Sequence, residues 1–240
     1  MKKNDLVTFQ SGFEKARAVQ AMFDGIAQRY DLMNRVMTGG QDVRWRRIAI
    51  EHAQLPAGGK LLDIACGTGD LAFEALKRSP GLVVGGDFSY EMIKLGAAKA
   101  NGHDNIIFLS ADGLNLPFRD GGFDAVTTGF SMRNVADIDQ FLREMVRVVA
   151  PGGRVVILEL TPLKTPVISS LFRFYFHRIV PLAGWLLTGD RKAYTYLPQS
   201  VDVFITAQEL KEKMQRTGLI DVGYRTFSFG TVALHWGTVA

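Results

Sequence analysis

From residue 60 onward, short apolar runs alternate with stretches of helical period. LLDIA (61 to 65), LVVGGD (82 to 87), NIIFLS (105 to 110), FDAVTTGF (123 to 130) and RVVILEL (154 to 160) have strand length, and helices are predicted to start at about Asp70, Ser89 and Asp137. Near-continuous apolar strands alternating with helices predict a mostly parallel sheet covered on both faces. The helix from Asp137 has apolar residues at 141, 142, 145, 146, 148 and 149, and Pro151-Gly152-Gly153 is expected to stop it.

The last third departs from this alternation. A helix over 207 to 217 is closed by Gly218, and two strand-like runs, DVGYRTFSF and TVALHWGTV, are separated by the turn residue Gly230. That pattern predicts a terminal β-hairpin. A mostly parallel sheet ending in an antiparallel hairpin resembles the Rossmann-like fold of class I S-adenosylmethionine-dependent methyltransferases more than that of nicotinamide dehydrogenases. With no repeat or Gly/Ser-rich linker, residues 1–240 read as a single domain. Its expected parts are an N-terminal helical lid (1–59), a cofactor-binding core (60–160), a helical lid insertion on the substrate side (161–206), and the terminal helix and hairpin (207–240).

Composition narrows the class. The 240 residues are 47% hydrophobic and 22% charged, which excludes a disordered chain. No apolar run is long enough to span a bilayer: the greasiest stretch, Pro166 to Thr188, is interrupted by Arg173, His177, Arg178 and Pro181. The single Cys66 excludes a disulfide framework, no His/Cys/Asp/Glu spacing suggests a metal, and MKKNDLVTFQ lacks a secretory h-region. A reducing cytoplasm is the expected setting. The net charge of +4 is uneven, with 10 Lys+Arg against 6 Asp+Glu over 1–60, 9 against 13 over 61–160, and the excess restored after 160. An acidic centre without an RNA-binding module argues against nucleic acid.

Candidate chemistry concentrates in Asp63-Ile-Ala-Cys-Gly67-Thr-Gly69-Asp70, where a strand runs into glycines and then a helix. Gly67 and Gly69 allow a tight turn and close approach of a ligand. Gly67-x-Gly69-x-x-Ala72 also fits a dinucleotide fingerprint, and Asp87, ending the second strand, suits a ribose in either reading. Asp63 four residues before the first glycine, with Ala111-Asp112-Gly113 after the third strand, favours S-adenosylmethionine. Asp63 is then expected near the cationic methionine end, Asp112 at the adenine amino group and Gly113 under the ring. Cys66 reads as a small buried residue with no reactive role.

From about Val19 to Gly237 the chain closely resembles the ubiquinone/menaquinone biosynthesis C-methyltransferases of the UbiE/MenG type. The resemblance rests on MFDGIAQRYDLMNRVMTGGQDVRWR, LLDIACGTGDL, NLPFRDGGFDAV, FSMRNVADI, LREMVRVVAPGGRVVILEL, GDRKAYTYLPQSV and GTVALHWG. It implies transfer of a methyl group to a ring carbon of a reduced prenylated quinone, a demethylmenaquinol or a methoxy-prenyl-benzoquinol. It also implies that Thr68, Asp87, Asp112 and Gly113 contact the cofactor. Gly129 stands at a cofactor position where family members often carry Ser, Ser131 replaces a more usual Gly, and Ile205 stands where Pro often follows Phe.

The same resemblance marks Arg133 and Asn134, just past the fourth strand, as active-site residues. Arginine stays protonated, so Arg133 is expected to stabilise the developing phenolate or order a water rather than act as a base. Asn134 would orient the quinol hydroxyl, and Tyr30 would join a water relay from the N-terminal lid. Tyr194, Tyr196 and Ser200 are expected to line the substrate pocket, with His235 a secondary base candidate. The segment after Pro166 suggests an apolar groove for a polyprenyl tail resting on an anionic membrane surface, with Arg44, Arg46, Arg47, Arg173, Arg178, Arg191 and Lys192 facing the lipid and the protein peripheral to the inner face. The competing readings are a methyltransferase of another small aromatic molecule, a noncatalytic S-adenosylmethionine-binding regulator and a Rossmann oxidoreductase.

Overall fold

A computed structural model of the chain describes residues 12–78, 81–162, 174–182, 185 and 191–240. Seven strands form one sheet: β1 (Leu61–Ile64), β2 (Val83–Asp87), β3 (Ile106–Ser110), β4 (Phe123–Gly129), β5 (Val149–Leu160), β6 (Leu219–Phe227) and β7 (Val232–Val239). Their order is β3-β2-β1-β4-β5-β7-β6, with β7 antiparallel to both neighbours and the first five parallel. The terminal hairpin forms as its sequence pattern predicts, and it joins the sheet through β7 beside β5.

Strand alternation sorts the core into two layers. On one face Leu62, Ile64, Val126, Val155 and Ile157 pack under Phe141, Leu142 and Met145 of α6 (Ile138–Val148) and Leu210 and Met214 of α8 (Ala207–Arg216). On the other, Leu61, Ala125, Val156, Leu158 and Leu234 pack under α3 (Gln41–His52) and α4 (Asp70–Leu76). Caps define these helices as the sequence indicates: Ser89 opens α5 (Tyr90–Lys99) by accepting from Met92 N, and Asp137 opens α6 by accepting from Gln140 N. Thr206 and Glu209 form a reciprocal capping box on α8.

Two expectations are corrected. β5 starts at Val149, not 154: Val149 pairs with Phe123, and Pro151-Gly152-Gly153 forms a bulge across which the pairing moves to Ala125 with Arg154. The N-terminal stretch divides rather than forming one lid. α3 buries Trp45, Ala49, Ile50 and Ala53 against the sheet as a core helix, whereas α1 (Gly12–Ile26) and α2 (Tyr30–Thr38), joined by a 3-10 turn at Ala27–Arg29, cross the carboxyl ends of the strands. α1 is fastened there by Lys15 Nζ donating to Arg133 O at 3.3 Å and Val135 O at 2.7 Å, Gln20 Nε2 to Phe88 O at 3.2 Å, and Ser89 Oγ to Asp24 Oδ1 at 2.5 Å.

The insertion is helical where described. Residues 174–182 contain a π-helical turn at Tyr175–Ile179, and α7 (Arg191–Asp202) carries Pro198 inside it. Phe176, Val180 and Val201 form a small core with Met37, Leu160 and Leu197. Much of Pro166 to Thr188, including Arg173, and the side chains of Arg191 and Lys192 lie outside the described residues.

Candidate active site

The carboxyl ends of β1 to β4 deliver most of the predicted residues to one edge, where parallel α/β sheets bind ligands. After β1 the backbone turns through left-handed conformations at Ala65 (φ 52°), Gly67 (φ 57°) and Gly69 (φ 92°) before α4 begins. Only glycine fits at Gly69, since a Cβ there meets Phe108 Cζ at 2.5 Å. Gly67 N donates to Asp87 Oδ2 at 2.7 Å and Ser89 N to Asp87 Oδ1 at 2.8 Å, so the carboxylate closing β2 is held by the glycine loop and the start of α5. Burial raises the Asp87 carboxyl, and these backbone donors oppose the rise.

A cavity of about 430 Å³ lies over this edge, lined by Gly67, Asp87, Asp112, Gly113 and Gly129, and roofed by α1 through residues that include Ala16, Val19 and Phe23. Asp112 is exposed at its rim, accepting from Leu114 N at 2.9 Å. Gly113 is demanded by packing inside the protein: a Cβ there falls 2.3 Å from Phe141 Cε2. Ser131 lines this cavity rather than the substrate side, with its Oγ 2.5 Å from Thr128 Oγ1. Ile205 packs on the core beside α6 and α8.

Asp63 and Thr68 sit one layer deeper, around a pocket of about 30 Å³ shared with Tyr30, Arg46 and Gly129. Asp63 is 1% exposed; its Oδ1 accepts from Thr127 Oγ1 at 2.8 Å, while Oδ2 is buried without a partner. Desolvation pushes its carboxyl up to about 7, against the opposing pull of Thr127, Arg46 and the backbone N–H of Ala72. The Thr68 hydroxyl is committed to Asp31 Oδ1 at 2.6 Å, so it ties α2 to the glycine loop. Burial pushes the Cys66 thiol well up, as expected of an inert residue. Arg46 is not at a lipid-facing surface. It is 6% exposed and ion-paired with Asp42 and with Asp70 at the head of α4, leaving Arg44 and Arg47 exposed on α3.

A second cavity, about 250 Å³, is largely apolar, with Met33, Met37, Trp45, Leu160 and Phe176 in its wall together with Tyr30, Arg133 and Tyr196. Tyr194 also lines it, packed with Ile26 and Met33. Phe23, Tyr30 and Phe130 line both large cavities, so they mark where the two meet. Desolvation raises the Tyr30 phenol, offset in part by Asn34 and by the charges of Arg133 and Arg46. The phenol is therefore a proton donor or relay at neutral pH, not a standing base. Tyr196 OH donates to Asn134 Oδ1 at 3.1 Å, which joins the expected substrate tyrosine to the expected orienting amide.

Arg133 rests on a residue that sequence reasoning missed. Glu159, 1% exposed, accepts from Arg133 Nη1 at 2.7 Å and from Arg133 N at 3.3 Å; Nη1 also donates to Phe130 O. A lone carboxylate in the otherwise apolar run RVVILEL was the available signal, since a charge in a buried strand needs a partner. Asn34, one helical turn beyond Tyr30, was also missed although it lies in the quoted YDLMN motif.

Ser200 and His235 stand apart from both cavities. Ser200 Oγ donates within its own helix to Leu197 O at 2.8 Å. Val232 lines the apolar cavity, and alternation sends His235, three residues along β7, to the opposite face. There His235 Nε2 lies 2.8 Å from Ala207 O, and burial drops its pKa to about 4.

Residues 11–239 match the family model described as the ubiE/COQ5 methyltransferase family. The chain is 45% identical over 218 residues to a demethylmenaquinone methyltransferase of Thermus thermophilus, covering 90% of this chain and 99% of the relative. It is 43% identical to the ubiquinone/menaquinone biosynthesis C-methyltransferase UbiE of Desulfotalea psychrophila, covering 93% and 91%. Among solved structures, a SAM-dependent methyltransferase of Thermotoga maritima superposes with a TM-score of 0.66 at 17% identity over 92% of this chain and 99% of that one. The phosphoethanolamine N-methyltransferase 2 of Haemonchus contortus, solved with S-adenosyl-L-methionine, gives 0.58 at 15% identity, covering 80% and 51%. These two likenesses concern the fold, which is the class I methyltransferase fold. On sequence and fold together, the chain belongs to the ubiE/COQ5 methyltransferase family.

Proposed function

We propose that this chain methylates a ring carbon of a reduced prenylated quinone, demethylmenaquinol first and a 2-methoxy-6-polyprenyl-benzoquinol as the second ring, with S-adenosylmethionine as donor. The observation that carries the reading is the meeting of two unlike cavities at Phe23, Tyr30 and Phe130, one edged by Asp87 and Asp112, the other apolar and lined in part by Arg133. The names of the relatives favour the naphthoquinol and the benzoquinol as the rings to test first.

The first cavity fits the donor. Asp87 would take the ribose hydroxyls, Asp112 the adenine amino group, and the unpartnered Asp63 Oδ2 the cationic methionine end. Gly67, Gly69, Gly113 and Gly129 would keep the backbone close to it, and Thr68 would act through Asp31 on the position of α2. When bound, S-adenosylmethionine supplies an electrophilic methyl on a neutral leaving group, so the protein's task is proximity and an electron-rich carbon.

The quinol, not the quinone, has that carbon, and its phenolate still more. Arg133, fixed by Glu159, presents positive charge to an oxygen in an apolar pocket, where an electrostatic contact is stronger than in water. Asn134 and Tyr196, already bonded to each other, would orient the hydroxyl, and Tyr30 would pass its proton toward solvent. Tyr194 would support the ring wall. Nothing in their surroundings assigns Ser200 or His235 a part.

The tail would leave beside Tyr175 and Phe176, which line the apolar cavity within residues 174–182. That segment turns Tyr175 and Phe176 inward and leaves Phe174, Ile179 and Leu182 exposed, as is Trp185 just after it, with Arg178 beside them. Such a rim suits peripheral contact with an anionic bilayer on the cytoplasmic side, and no helix among the described residues is long and apolar enough to cross a membrane. Assays of the purified chain with each chemically reduced quinol and labelled methyl donor, read by mass spectrometry, are expected to give the ring-methylated product. Absence of S-adenosylmethionine binding by calorimetry, or binding without product from either ring, overturns the proposal. Co-sedimentation with anionic vesicles tests the membrane part separately; a chain that stays in the supernatant with and without quinol rules it out.

A further inference from the structure

The apolar cavity contains a chemical imbalance in its wall. Asn34 Nδ2 and Arg133 Nε are both buried, neither makes a hydrogen bond of full geometry, and both residues line this one cavity. Buried donors without acceptors are rare in folded proteins, so two in one apolar space call for an explanation. Several neighbouring donors are already committed. Arg133 Nη1 serves Glu159 and Phe130 O, Thr38 Oγ1 serves Asn34 O at 2.7 Å, Tyr175 OH serves Met37 O at 3.0 Å, and Tyr196 OH serves Asn134.

The placement of Asn34 is fixed by the helix. It follows Tyr30 by four residues on α2, which puts both side chains on one face. Its amide is near enough to oppose the rise of the Tyr30 phenol, yet Nδ2 makes no hydrogen bond of full geometry with it. The donor is thus held at the junction of the two cavities with its capacity unused.

We propose that Asn34 Nδ2 and Arg133 Nε form a two-donor site for the oxygen of the reacting ring, which makes Asn34 a further catalytic residue. The inference rests on the function proposed above. When the ring hydroxyl ionises, its O–H bond breaks, the proton passes to water, and the electron pair left on oxygen is what the two donors hold. Hydrogen bonds to the charged oxygen are stronger than to the neutral hydroxyl, so the pair favours the phenolate and enriches the adjacent carbon.

The test uses the whole chain and a chromophoric probe, a nitro-1-naphthol whose phenolate absorbs in the visible. The wild-type protein is expected to lower the pKa of the bound probe by at least about one unit, a tenfold rise in acidity. Asn34→Leu, and Arg133→Met combined with Glu159→Leu so that no buried charge is stranded, should each lose most of that shift, and Asn34→Asp, which sets an anion at the same place, should reverse it. Calorimetry with S-adenosylmethionine is expected to be unchanged in all three. With reduced quinol, Asn34→Leu should lower kcat by about 100-fold, the scale for removing one oxyanion donor, while KM changes little. A wild-type protein that leaves the acidity of the probe unchanged, or binds it no better than Asn34→Leu does, overturns the donor site, as does an Asn34→Leu variant with full shift and full turnover. Should the wild type acidify the probe yet methylate neither quinol, the proposed substrate fails and the donor pair stands.

Discussion

Arg133 Nη1 donates to Glu159 Oε1 at 2.7 Å, and the two side chains are 6% and 1% exposed. Because Glu159 also accepts from the backbone N–H of Arg133, at 3.3 Å, it fixes the turn as well as the guanidinium. A buried ion pair is expensive to break and cheap to replace, since removing one partner strands the other in a poor solvent.

That asymmetry separates stability from turnover. Glu159→Ala should lower unfolding stability by about 3–5 kcal/mol in urea melts and abolish methylation. Arg133→Met combined with Glu159→Leu should recover most of the stability but none of the activity. A double variant that methylates at the wild-type rate would remove Arg133 from the mechanism.

Asp63 makes cofactor affinity depend on pH. Its folded carboxyl sits at about 7, above its ordinary value of 3.8, so between those values the folded apoprotein holds more protons than the unfolded chain. By linkage this group's contribution to stability falls as pH rises through that window and is constant above about 7. A cation bound against Asp63 requires the ionised form, so S-adenosylmethionine binding should release protons near pH 6 and tighten up to about pH 7. Calorimetry in buffers of different ionisation enthalpy measures the release. Asp63→Asn should bind more weakly and without pH dependence in this range; a pH-independent wild type refutes the assignment.

His235 behaves in the opposite sense. Its folded pKa, about 4, lies below the ordinary 6.5, so the stability it contributes is complete above 6.5 and is lost as pH falls toward 4. His235→Leu should remove that acid sensitivity and cost about 1 kcal/mol through the lost bond to Ala207 O. Its kcat should match wild type within about twofold, since the residue faces away from both cavities; a large drop in kcat with S-adenosylmethionine binding intact would return it to the mechanism.

Lys15 should govern exchange of the donor. Burial lowers its ammonium pKa, and the group spans Arg133 O and Val135 O, fastening α1 over the larger cavity. Lys15→Met is expected to speed S-adenosylmethionine dissociation about tenfold, the equivalent of about 1.4 kcal/mol, in stopped-flow displacement. An unchanged off-rate would mean that α1 does not gate the site.

Local signals made much of this protein legible in its sequence. Apolar runs of strand length, the helix starts at Ser89 and Asp137, and the breakers Gly218 and Gly230 depend on a few neighbouring residues, and most stand within a residue or two of their expected place. The glycine loop and the carboxylates after β1, β2 and β3 were readable for the same reason: in a parallel sheet the strand ends share one edge. β5 was less readable, because Pro151-Gly152-Gly153 ends a helix in local terms but is accommodated as a bulge by pairing with β4.

The sequence by itself determined the succession of strands and helices that makes a mostly parallel sheet with both faces covered, and it put Asp63, Asp87, Asp112 and Arg133 in or just past successive strands, since periodicity is a local property of the chain. Only the tertiary structure gathered them at one edge and decided what lies behind it. It paired Arg133 with Glu159 across 26 residues and Thr68 with Asp31 across 37, buried Arg46 between Asp42 and Asp70, and turned His235 away from the cavities. The reason is physical. Partners for buried charge and hydrogen-bonding groups are chosen by proximity in the packed interior, where the loss of water makes each pairing decisive, and that proximity is not encoded in spacing along the chain.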